Sequence, residues 1–169
     1  MNLQLFNKSP QTYQVSKMNF IFLCISILSL LGIWIYGFLT PVLLDIDNSF
    51  LQFLFARTYS TMCHQDSARC ITIGNEHLLV CARCAGIYFG AFITCLINLF
   101  RKPIHIDKKI FIFMSLPMLL DIISVLMGLY QYSKIVASLT GLIFGSFLLL
   151  LIISELEDYL FIKKVLKNE

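Results

Sequence analysis

CHQDSARCITIGNEHLLVCARCAGIYFG, residues 63–90, is the stretch on which the reading of the fold turns. Four of the chain's six cysteines and two of its three histidines fall inside it. Its first two thirds are polar and interrupted, and its end runs into an uninterrupted apolar segment. The run Cys70-Ile-Thr-Ile, then Gly74-Asn75, then Glu-His-Leu-Leu-Val reads as two short strands around a tight turn. The second strand leads directly into Cys81-Ala-Arg-Cys84, where a helix is expected to begin.

Outward from this stretch the chain is apolar. Of 169 residues 58% are hydrophobic and 14% charged, with a mean hydropathy of +0.80. That leaves one domain and excludes a water-soluble fold. No basic run carries interleaved aromatics, which sets nucleic acid aside as a partner. The sequence predicts an all-α integral membrane bundle of four transmembrane helices, with a short interfacial helix and a small Cys/His-rich hairpin cap. Residues 18–44 hold no charge over 27 positions, more than the ~20 needed to cross hydrocarbon. Residues 49–62, bearing Arg57, are too short to span and are expected in the interface or folded back on the bundle, capped by Asn48 or Ser49. Residues 84–100, 110–132 and 135–154 complete the set of spans. The domain organisation is therefore a tail at 1–17, a membrane domain at 18–155 that includes the cap at 63–84, and a second tail at 156–169.

Four spans put both termini and the loop 101–109 on one side, and that side holds nine of the thirteen Lys and Arg residues. The positive-inside rule then makes the termini cytoplasmic and turns the Cys/His loop outward, in the cytoplasmic membrane with lipid as surroundings. Within the bundle, Ala82, Gly86 and Gly90 recur every fourth residue, as do Ala137, Gly141 and Gly145. Small residues at that spacing let helices approach closely in lipid, so the second and fourth spans are expected to be neighbours. Cys84, Tyr88 and Cys95 share another arc of the second span.

Clustered thiols and imidazoles suit a tetrahedral Zn2+, and Cys81-x-x-Cys84 supplies two ligands at the right bite. The upstream pair is open on spacing alone: Cys63 with His64, Cys70 or His77. The rival is thiol redox chemistry linked to a quinone. The rival layout, a four-helix membrane protein with an outward Cys-x-x-Cys at a helix start, is that of disulfide-generating quinone reductases. Arg83 and the helix N-terminus would favour thiolates there, with Cys63 and Cys70 as a shuttle pair. Structural disulfides are the third possibility.

The same residues carry a resemblance. The chain resembles a family of small bacterial and archaeal membrane proteins of unknown function, marked by Cys-His-Gln, an Arg four residues on, and Cys-Ala-Arg-Cys-x-Gly-Ile-Tyr-x-Gly. Cys63, His64, Gln65, Arg69, Cys81, Ala82, Arg83, Cys84, Gly86, Ile87, Tyr88 and Gly90 match that pattern. Pro117 and Asp121, and Thr140, Gly141 and Gly145, match further on; Val125 and Ala137 depart from it. The position of Cys70 is often serine in that family, so the resemblance implies Cys63, His64, Cys81 and Cys84 as the metal set, with Cys70 as an alternative. Four protein ligands leave no open coordination position and favour a structural metal.

Four polar side chains remain. Gln65 is expected to support the ligands, and Arg69 and Arg83 to hold an anionic substrate or a lipid headgroup. Asp121 falls at the middle of the span 110–132, ~16 Å from either end at 1.5 Å per residue. A carboxyl at that depth suggests a transporter-like role as proton carrier or ion ligand, or a protonated acid bonded through Ser138 or Thr140. It could also partner a basic group, with Arg69 and Arg83 of the outer loop needing a funnel or re-entrant fold to reach it.

Overall fold

The structure, a computed structural model, describes residues 17–43, 49–74, 76–100 and 106–167. Its order is α1 (Lys17–Leu43), α2 (Ser49–Ser60), β1 (Cys70–Ile73), β2 (Glu76–Cys81), α3 (Ala82–Phe100), α4 (Lys108–Leu126) and α5 (Lys134–Lys167). Among the described residues, four segments are long and apolar enough to cross a membrane: Phe20–Leu43, Ala82–Phe100, Lys108–Leu126 and Lys134–Leu156. This is the expected four-span bundle with its short helix and two-stranded hairpin. The N-terminal tail through residue 16, Asn48 of the expected cap, Asn75 of the turn and His105 of the basic loop lie outside the described residues. Beyond the fourth span, α5 continues as helix to Lys167.

The centre of the bundle is α3, and glycine makes it so. A Cβ on Gly86 would run into the carbonyl oxygen of Ser138, and one on Gly90 into that of Leu142. In return, a Cβ on Gly141 would meet the carbonyl of Arg83, and one on Gly145 that of Ile87. The two backbones interlock over two turns, as the four-residue spacing predicts. Ser138 Oγ donates to Ala82 O (3.1 Å) and Ser146 Oγ to Gly90 O (3.2 Å) across the seam. Lipid tails are as apolar as leucine, so this close packing and these cross-helix hydrogen bonds hold the pair together where no hydrophobic drive exists. Gly90→Leu is therefore expected to force α3 and α5 apart at a cost of about 1–3 kcal/mol or more. Gly32, whose added Cβ meets only Phe92 at an ordinary 3.8 Å, supplies the control: Gly32→Ala should unfold like the wild type. Thermal unfolding of both variants in detergent checks this, and an unshifted Gly90→Leu transition would refute the seam.

The other face of α3 packs on α1. Near the cap, Ile35, Phe38, Tyr59, Cys63, Leu78, Val80 and Ala85 form one buried cluster. At the opposite end Phe20, Cys24, Ala91, Cys95, Leu149 and Ile153 form another. The short α2 packs back on α1 and leaves Phe50, Phe53 and Leu54 exposed. Its Tyr59 sits against Gly37, donates to Trp34 O (2.6 Å) and stacks edge-on with the Trp34 ring at 4.8 Å. Helix α4 is peripheral, packs chiefly on α5, and buries only Asp121.

Candidate metal centre

The cap gathers its cysteines through backbone geometry. At the end of α2 the carbonyl of Tyr59 accepts the N–H of both Met62 and Cys63, which winds the chain inward and leaves Cys63 buried. Gln65 then adopts a left-handed backbone, φ 51, that turns the chain back toward the hairpin. Its side-chain Nε2 donates to Ala56 O and to Leu79 O, both at 3.0 Å, and so fastens α2 to β2. The turn at 66–70 is closed by Asp66, whose carbonyl accepts the N–H of Arg69 and Cys70. The hairpin pairs Cys70 opposite Cys81, with Gly74 at φ 65 in the two-residue turn, where a left-handed conformation is needed. Ala82 N–H bonds to Arg69 O at 2.9 Å, so α3 starts where the ladder ends.

These contacts bring Cys63, Cys81 and Cys84 together, with all three sulfurs within 4.8 Å of one another. The Cys81 N–H donates to Cys63 Sγ at 3.2 Å. The Cys63 thiol is held far below its ordinary range, chiefly by donation from the Cys81 side chain and then from that of Cys84; the N–H groups of Gln65 and Cys81 add to this, and burial opposes it. Cys70 stands beside the cluster but outside it. It is 1% exposed, and burial first, then the charges of Cys63 and Cys81, push its thiol up to about 11. His64 follows Cys63 directly but is exposed and outside the sulfur group, and His77 is exposed and bonded to Thr72 Oγ1 at 3.0 Å. Tyr88, one turn into α3 from Cys84, packs edge-on against Trp34 at 6.2 Å and close to Phe38.

A metal fits the sulfur triangle. Tetrahedral zinc with Zn–S near ~2.3 Å needs sulfurs ~3.8 Å apart, so the three thiols need close by no more than about 1 Å. The N–H bond to Cys63 favours the thiolate form that a metal requires there. A disulfide would use two of the sulfurs and strand the third; a metal uses all three.

Beside the triangle lies an ion pair that the sequence reading misplaces. Arg83 Nη2 reaches Asp121 Oδ2 at 2.5 Å, and Tyr130 Oη donates to Asp121 Oδ1. Asp121 is not at mid-span: α4 ends at Leu126, five residues on, instead of running to Tyr132. Gly128, φ 69, is the reason. In its left-handed conformation the Gly128 N–H bonds to Val125 O and the Leu129 N–H to Ser124 O, a Schellman closure. Arg83 thus needs no funnel to reach the carboxylate. Ser138 and Thr140, the expected partners of a protonated acid, bond instead to Ala82 O and to carbonyls of their own helix. Tyr130 was not singled out in the sequence; Gly128 was the available signal that it lies past a helix end.

Comparison with known proteins sets this geometry in a family. A family model described as "Predicted membrane protein (DUF2085)" matches residues 63–151, from the first ligand candidate to about the middle of α5. An uncharacterised protein of Methanocaldococcus jannaschii is 30% identical over 130 residues, which cover 72% of this chain and 83% of that protein. No solved structure matches. With more than half of its length inside the family model, and its thiol cluster within the matched part, the chain belongs to the DUF2085 family of predicted membrane proteins.

Proposed function

We propose that this membrane protein carries one zinc ion on the Cys63, Cys81 and Cys84 thiolates, and that the metal locks its cap onto the bundle. The observation that carries this is the three sulfurs within 4.8 Å, drawn from the loop after α2, the end of β2 and the first turn of α3. Those segments are otherwise held by the Gln65 clamp, a short ladder, a few backbone hydrogen bonds and one small buried cluster, so an ion bonded to all three would be the strongest tie between them. His64 is assigned the fourth position, because it directly follows Cys63 with its side chain exposed, and the resemblance to Cys-His-Gln proteins includes it. Four protein ligands make the role structural. The excess of cations at the opposite end supports an outward cap with both termini in the cytoplasm of a cytoplasmic membrane, testable with a fluorescent protein fused after Glu169.

Elemental analysis of purified protein tests the metal: one zinc per chain is expected, retained in Cys70→Ser. His64→Ala should weaken zinc at least about tenfold against a competing chelator, as loss of one coordinate bond implies. Zinc-free protein with oxidised cysteines would overturn this reading, in favour of the quinone-linked redox one if a quinol reduces them and of structural disulfides if it does not.

A further inference from the structure

We infer that the cleft between Arg69, Arg83 and Tyr132 is a binding site for a phosphate group at the rim of the bundle. The cleft holds about 220 Å³ and is lined by Arg69, Arg83, Ile122, Val125, Leu126 and Tyr132. That is below the ~300 Å³ at which pockets begin to enclose drug-sized molecules, and it suits a headgroup-sized anion. Two guanidiniums converge there: those of Arg69 and Arg83 lie 5.5 and 5.8 Å from the centre of the same Tyr132 ring. Like charges gathered on one ring repel, and an oxyanion between them relieves that repulsion.

The partners already present do not use up these donors. Asp66 holds Arg69 through an i,i+3 pair at 3.3 Å whose side chains are 54% and 48% exposed, an arrangement worth little. Asp121 engages Nη2 of Arg83, while Arg83 Nε is buried without a partner. The Tyr132 hydroxyl is likewise buried and unpartnered, and burial, the largest influence on it, pushes its pKa up, so it remains a donor. Unmet buried donors cost free energy, and a ligand with several acceptor oxygens removes that cost. Planar guanidinium forks match phosphate bidentately. The opposite wall is the apolar end of α4, so the site offers a polar mouth and a greasy side. A phospholipid headgroup and a free phosphate share the chemistry that this arrangement recognises. The proposal is independent of the metal.

The test uses full-length, metal-replete protein stripped of lipid in detergent, with native mass spectrometry counting bound dioleoylphosphatidylglycerol and inorganic phosphate as competitor. The wild type should bind one lipid tightly, and Arg69→Gln and Tyr132→Phe should each weaken it about tenfold, the effect expected for a lost bond to a charged group. Arg69 is surface-exposed, so an unchanged melting temperature and zinc content in Arg69→Gln will show that the fold is intact. Competition by inorganic phosphate identifies a small phosphate as ligand; lipid binding without competition identifies the headgroup. Both support the site. Failure of the wild type to bind either probe, or wild-type affinity in both variants, overturns it.

Discussion

Cys84→Ser is expected to abolish stoichiometric zinc binding and to loosen the cap while the four spans remain inserted. Serine does not ionise at neutral pH, so the site falls to two thiolates from the Cys63–Cys81–Cys84 triangle. A ligand that binds only the folded cap stabilises it by mass action, about 4 kcal/mol when free metal stands at a thousand times Kd. The variant should therefore melt like chelator-treated wild type and show no further response to chelator. The spans should survive, because the seam of Gly86, Gly90, Gly141 and Gly145 does not involve the metal. A Cys84→Ser protein that keeps a chelator-sensitive transition would show that the metal is held elsewhere.

Asp121→Ala is expected to be the most destabilising change outside the cysteines, by about 3–5 kcal/mol, the range measured when one member of a buried ion pair is removed. Its carboxylate side chain is 3% exposed and that of Arg83 17%, so the guanidinium loses its counter-charge where little water replaces it. Removing both charges together in Arg83→Met/Asp121→Leu should recover much of the loss, because the desolvation penalty goes with them. Thermal unfolding in detergent separates the cases. Equal melting temperatures for wild type and Asp121→Ala would mean that the pair contributes nothing to the fold. A rate-limiting proton carrier would instead lose activity in Asp121→Asn at unchanged stability, and a carboxylate already bonded by Arg83 and Tyr130 gives no motive for that role.

How much of this was legible in the sequence depended on the kind of physics involved. Uncharged runs and small residues every fourth position report helix length and contact face directly, so the four spans and the α3–α5 seam were readable. Gly74-Asn75 likewise announced the hairpin. The end of α4 was misread because hydropathy averages over Gly128, whose effect is a backbone conformation and not an apolar run. That single error placed Asp121 at mid-span, set Arg83, one of its two evident cationic partners, beyond direct reach, and hid Tyr130. In the cap, the x2 spacing singled out Cys81 and Cys84, whereas the upstream pair was legible only as Cys63 with one of His64, Cys70 or His77. The role of Gln65 was not readable beyond a general expectation of support, since its two acceptors, Ala56 O and Leu79 O, are far apart in sequence and meet only after folding. Tyr132 gave no signal at all until the loop after α4 was known to carry it to the arginines.

The central claim is that three sulfurs from separate segments bind one ion, and X-ray absorption at the zinc edge of the purified full-length protein tests it most directly. The account predicts one zinc per chain with three sulfur neighbours at about 2.3 Å and a lighter fourth ligand. Zinc surrounded by nitrogen and oxygen alone, or a zinc-free protein whose Cys81 and Cys84 are joined as a disulfide, would contradict it.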